Sequence, residues 1–162
     1  FTVRALYESR SLEEAVAAVR RAQRAIPANI MLATPQGPAD LEVTVDDVHV
    51  LHDEALVTHT NHCLHPDLER INRDFPELIE SGPRLRRINQ LLAAHPLSVE
   101  RAQEALRDHQ DYPHSICRHA NDHPSNGFWV SVFSVVIEAA AGRMHVSRGN
   151  PCENGYEIYS LN

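Results

Sequence analysis

The sequence predicts an α+β fold with antiparallel sheet and segregated helices. Three observations carry that expectation. An amphipathic helical pattern opens the chain, short β-branched runs follow it, and two or three helical segments then separate these from a second group of strands near the end. With 162 residues the chain has one domain's worth of sequence, enough to bury a core without disulfides, and 1–162 is read as a single domain.

The elements follow in order. In "SLEEAVAAVRRAQRAI" Ser11 and Glu14 form a capping box, and Leu12, Ala15, Val16, Val19, Ala22 and Ile26 recur at helical spacing until Pro27 stops the helix. The runs "NIMLAT", "LEVTVDD", "VHVLHDE" and "LVTHTNH" predict three or four antiparallel strands, divided by "PQGPAD" and by acidic turns. After Pro66, "PDLERINRDFPELIES" predicts short irregular helix, and "GPRLRRINQLLAAH" places Leu85, Ile88, Leu91 and Leu92 on one helical face. "SVERAQEALRDH" adds a helix capped by Ser98. "DYPHSICRHANDHPSNG" is punctuated by proline and asparagine as a loop, whereas "FWVSVFSVVIEA" is too β-branched for helix and predicts a central strand buried on both faces. "AAGR" turns that strand into "MHVS", and "GYEIYSL" is a last strand.

Composition narrows the function. At 43% hydrophobic and 23% charged the chain is of ordinary globular make-up, and no apolar run approaches the ~20 residues that span a bilayer, so no membrane partner is expected. The net charge of −7 includes no lysine, and the arginines are scattered, so no nucleic-acid partner is expected. Three cysteines in no C-x-x-C pair fit a reducing cytoplasm, and "YSLN" carries no peroxisomal address. The first residues hold neither an initiator Met nor a leader, and read as the middle of a longer polypeptide.

The stretch "HTNHCLH" is the densest in chemistry. His59, His62, Cys63 and His65 are competent zinc ligands, but neighbours on a strand alternate between faces, and no second cluster has finger-like spacing, although His114, His119 and His123 could complete a site. Cys63 has histidines beside it and Cys117 precedes an arginine, yet neither lies in a nucleophile motif, and free cysteines commonly serve as small buried hydrophobes. Asn61 stands out, because a neutral carboxamide at a strand end can donate to a developing oxyanion without losing its proton. Arg118, in "SICRH", can hold a carboxylate or orient a catalytic group.

Taken together, "RSLEEAVAAVRRAQRAIPANIMLAT", "HTNHCLHPDL", "PRLRRINQLL", "YPHSICRH" and "SVFSVVIEAAAGRMHVSRGNPCENGYEIYSL" resemble the carboxy-terminal part of the acyl-coenzyme A:6-aminopenicillanic-acid acyltransferase family. These are self-processing cysteine N-terminal-nucleophile hydrolases. The most specific pieces are T-N-H at Thr60 to His62, S-I-C-R at Ser115 to Arg118, and G-x-P-C at Gly149 to Cys152. The resemblance implies part of an αββα sandwich with antiparallel sheets, and cleavage or transfer of an acyl group at a small-molecule amide bond. It implies Asn61 as oxyanion-hole donor and Arg118 as site arginine, with no cofactor and no metal. In the family the nucleophile is a cysteine that opens the mature chain, its α-amine serving as base; residue 1 here is Phe, and Cys63, Cys117 and Cys152 are internal.

The expected partners are therefore an upstream complementary chain or segment bearing the nucleophilic cysteine, and a small amide or acyl donor, acyl-coenzyme A among the candidates. The chain alone is expected to be inactive and, with sheet edges and an apolar face uncovered, to form oligomers. Two other readings stand beside this one: a catalytically silent binding or assembly domain on the same scaffold, and a His-rich metal-binding protein.

Overall fold

The computed structural model describes residues 2–74, 81–93, 96–124 and 127–161. It has mixed helix and antiparallel sheet, as an α+β chain should, in two compact units, Phe1–Pro76 and Glu77–Asn162, each with a three-stranded sheet. Among the described residues no helix is long and apolar enough to cross a membrane.

In the first unit, α1 (Thr2–Tyr7) and α2 (Leu12–Arg21) precede β1 (Ala28–Thr34), β2 (Gly37–Val43) and β3 (Val48–His52). Ser11 caps α2: its Oγ accepts the Glu14 amide at 3.1 Å, and the Glu14 carboxylate accepts the Arg10 amide at 2.8 Å, one residue earlier than the reciprocal bond of a capping box. The helix stops at Arg21, well before Pro27, and Ile26 is exposed. Arg24 explains the early stop. Its guanidinium donates to the carbonyls of Val19, Arg20 and Ala22 and to that of Thr44, capping the final turn from outside and tying it to the β2–β3 turn.

The strands pair in the order β1–β2–β3, with Ile30 opposite Leu41 and Leu41 opposite Val50. Strand β2 begins inside the predicted "PQGPAD" turn, because Gly37 holds φ at +109°, where a side chain would be strained and a Cβ would sit 2.8 Å from the Asp53 carbonyl oxygen. One face of the sheet supplies Leu41, Val43 and Val48 to a core completed by Leu6, Ala15, Val16 and Val19. Burial of each such aliphatic side chain is worth about 1.5–3 kcal/mol.

The fourth predicted strand, "LVTHTNH", is absent: residues 53–65 leave β3 without joining a ladder. The backbone amides of Ala55 and Leu56 turn back to the Asp53 carboxylate, and those of Cys63 to His65 find side-chain partners described below. A 3₁₀ turn (Pro66–Leu68) and α3 (Glu69–Asp74) follow. The end of the predicted irregular helix, 75–80, lies outside the described residues.

The second unit holds α4 (Ser81–Leu92), α5 (Val99–Leu106), β4 (Phe133–Glu138), β5 (Arg143–Arg148) and β6 (Glu157–Ser160). Leu85, Ile88, Leu91 and Leu92 of α4 are all half-buried while Arg86, Asn89 and Gln90 are exposed, and Ser98 caps α5 by accepting the Arg101 amide at 3.2 Å. The sheet order is β4–β5–β6. Strand β4 is thus an edge, not the central strand expected from "FWVSVFSVVIEA". It is also shorter, beginning at Phe133: the Ser131 amide just ahead donates to the Arg118 carbonyl of the loop. Nor is β4 buried on both faces, since Phe133 and Ile137 are 62% and 65% exposed.

Candidate functional site

The turn that carries Asn61 is built over the polar face of β2. In an alternating strand, Asp40 and Glu42 point away from Leu41 and Val43 and would ordinarily face water. Here they are 0% and 3% exposed. The Glu42 carboxylate accepts the backbone amides of Leu64 and His65, the latter at 2.9 Å, and Nε2 of His59 at 2.9 Å. A carboxylate only accepts, so His59 carries its proton on Nε2. Asp40 accepts the Asn29 side-chain amide at 2.8 Å and lies 3.7 Å from His59, while its buried Oδ1 has no hydrogen-bond partner among the described residues. Burial pushes the Asp40 carboxyl up; Asn29 and His59 oppose this, and neighbouring Glu42 adds to it.

A second clamp grips the same turn from α3. The Asn72 side chain accepts the Cys63 amide at 2.8 Å and donates to the Cys63 carbonyl at 2.7 Å, as a paired strand would. Three consecutive residues, Cys63 to His65, are therefore held by buried or half-buried polar side chains. Within the turn Thr60 Oγ1 meets His62 Nδ1 at 3.3 Å, and Asn61 stands exposed at the bend. It stands two residues ahead of the stretch whose backbone Glu42 and Asn72 hold.

The four candidate ligands of this stretch do not gather around one point. His59 belongs with Asp40 and Glu42, His65 lies with His49 and Asp67, and among the described residues His62 and Cys63 join neither group. The Cys63 thiol is pushed up by burial and, less, by Glu42, which disfavours the thiolate a nucleophile needs.

Arg118 lies in the second unit, half-buried, in the loop between α5 and β4. Its backbone is pinned on both sides: the amide donates to Ser131 Oγ at 3.0 Å, and the carbonyl accepts the Ser131 amide at 2.9 Å and the Asn150 side-chain amide at 2.7 Å. Ahead of it, the Cys117 amide donates to the Asp108 carbonyl, and the Asp108 carboxylate is gripped by Arg87 through two bonds of 3.0 and 2.6 Å. Arg87 holds the Asp108 carboxyl below the ordinary carboxylate range. The S-I-C-R and G-x-P-C stretches meet here, with the free thiols of Cys117 and Cys152 3.6 Å apart. Burial raises the Cys152 thiol, and the Cys117 thiol adds to that. His114 and His123, named with His119 as possible ligands, pair instead with each other, ring centroids 5.7 Å apart.

Sequence reasoning picked out the turn and the loop but missed what holds them. Asp40 and Glu42 look like the solvent face of an ordinary strand. The only signal was a second carboxylate at i+2 in "DLEV", followed by a polar stretch rich in donors.

No curated protein matches the chain. The family model described as acyl-coenzyme A:6-aminopenicillanic acid acyl-transferase matches residues 1–153, nearly the whole length, and the chain belongs to that acyltransferase family.

Proposed function

We propose that this chain is the downstream part of a self-processing cysteine amidohydrolase or acyltransferase of the N-terminal-nucleophile kind, acting at a small-molecule amide bond. The observation that carries the reading is the position of T-N-H directly ahead of residues 63–65, whose backbone Glu42 and Asn72 hold, with Asn61 exposed at the bend. Oxyanion stabilisation depends on a donor already in place when charge develops, and a turn tied to buried groups provides that.

In this reading a cysteine at the start of an upstream segment attacks the acyl carbon, and its α-amine takes the thiol proton. The carbonyl oxygen becomes an oxyanion that receives a hydrogen bond from Asn61, worth roughly 2.7–4 kcal/mol. Collapse of this intermediate passes a proton to the leaving amine and leaves a thioester, which water hydrolyses or a second amine intercepts. Arg118 binds a substrate carboxylate or orients a catalytic group. Cys63, its thiol value raised by burial, stays a protonated bystander.

The second sheet supports a missing layer. Phe133, Ile137, Met144 and Tyr159 share one face of β4–β5–β6 by their register, and all are exposed. A complementary layer of an αββα sandwich, carried by the upstream segment, would cover them. The test is reconstitution: the chain is mixed or co-expressed with an upstream segment beginning in cysteine, and amide hydrolysis and acyl transfer from acyl-coenzyme A are assayed. Turnover is expected only from the combination. A stable complex that forms and turns nothing over would favour the silent assembly domain and overturn this proposal.

A further inference from the structure

Four side chains of the second unit that acyl transfer does not use converge on one point. Cys117 and Cys152 hold their Sγ atoms 3.6 Å apart, and His119 Nε2 lies 3.3 Å from Cys152 Sγ and 3.8 Å from Cys117 Sγ. His109 Nε2 is 3.0 Å from His119 Nε2, and the four atoms all lie within 4.8 Å of one another. A tetrahedral ion with metal–sulfur bonds of ~2.3 Å and metal–nitrogen bonds of ~2.0–2.1 Å has edges of about 3.8 Å between sulfurs, 3.5 Å between sulfur and nitrogen, and 3.3 Å between nitrogens. Four of the six separations fall within a few tenths of an ångström of those edges, and the two between His109 and the sulfurs are within 4.8 Å.

We propose that Cys117, Cys152, His109 and His119 form a structural zinc site. Two soft sulfurs and two imidazoles in tetrahedral disposition select Zn²⁺ over the oxygen-seeking cations, and four protein ligands leave no open position for catalysis. A Cys117–Cys152 disulfide would use the two sulfurs but gives two imidazole nitrogens no reason to face them.

The backbone beside the ligands is already fixed by bonds that need no ion. Asp108, next to His109, is gripped by Arg87 and accepts the Cys117 amide. Arg107 Nε donates to the Pro151 carbonyl beside Cys152 at 2.8 Å, and the Asn150 side-chain amide donates to the Arg118 carbonyl between Cys117 and His119. The Glu153 carboxylate lies 3.6 Å from His119 Nδ1, where an outer partner orients a ligating imidazole. Zinc would staple the α5–β4 loop to the β5–β6 connection and fix the backbone of Arg118. The site is independent of the acyl-transfer reading.

The test uses the full, tag-free chain. Elemental analysis should find one zinc per chain, and competition with a chromophoric chelator should give its affinity. Cobalt(II) should produce the intense visible bands of tetrahedral coordination and a thiolate-to-cobalt charge-transfer band. Removing an outer-shell partner commonly weakens a metal 10–100-fold, so Cys152→Ser or the exposed-site His109→Ala should weaken zinc by about 100-fold or more. His65→Ala, in the other histidine group, should leave affinity unchanged. Failure of the reduced chain to take up zinc in competition, cobalt spectra without the thiolate band, or unweakened binding in Cys152→Ser would each overturn the proposal. A Cys117–Cys152 disulfide in protein that binds no zinc after reduction would do the same.

Discussion

The two sheets have the same strand number and the same antiparallel pairing, yet they bury opposite things. Sheet β1–β2–β3 covers both faces, the aliphatic one with α1 and α2 and the acidic one with the turn that bears Asn61. Sheet β4–β5–β6 buries Ser134, His145 and Ser147, with α5 packed against β4, and leaves Phe133, Ile137, Met144 and Tyr159 in water. In the first unit both faces of β2 are buried. The second exposes the residues that a chain sufficient to itself would hide, which fits the proposed missing layer.

That contrast can be broken experimentally, and the largest effect is expected in the first unit. Glu42→Ala removes the acceptor for His59 and two backbone amides from a buried site, and should cost about 3–5 kcal/mol. Denaturant titration measures the loss, and hydrogen exchange should show the Leu64 and His65 amides deprotected. Leu41→Ala on the opposite face of the same strand should cost about 2–5 kcal/mol by the same titration. By contrast, Phe133→Ser with Ile137→Ser should change stability by no more than about 0.5 kcal/mol per residue, since neither side chain is buried. The pair should instead reduce self-association in sedimentation. Loss of several kcal/mol with unchanged association would mean that the face is already covered.

The smallest effects are pH-dependent and opposite in sign between the units. Burial lifts Asp40 above its ordinary value of 3.8, so the folded chain holds that proton more tightly. Stability then falls as pH rises from the unfolded value through the folded one, and Asp40→Asn should be the more stable protein above that window, with the gain fading below it. Arg87 depresses Asp108, whose contribution is present above 3.8 and lost as pH falls through its folded value. Asp108→Asn should therefore show a flatter loss in acid. Thermal melts across the acidic range check both signs.

Much of the fold was legible where periodicity and caps agree. Ser11 and Ser98 cap helices as their spacing predicts, and the first three strands appear in order. What could not be read is where a tertiary partner replaces a local rule. Arg24 ends α2 ahead of Pro27, His59 of "LVTHTNH" and the residues just after that run bond to Glu42 and Asn72 and join no ladder, and "FWVSVFSVVIEA", apolar enough for a buried strand, makes an edge strand with a bare face. Cys117 and Cys152 were visible singly, but their meeting with His109 and His119 depends on a loop and a β-connection far apart in sequence.

The central claim is that the clamped turn holds Asn61 ready for an oxyanion. The most direct measurement is the steady-state kinetics of Asn61→Ala in the reconstituted enzyme. The account predicts kcat lower by about 10²–10³-fold with KM little changed. A variant that turns over at the unaltered rate, with its amide-bond substrate bound as before, would contradict it.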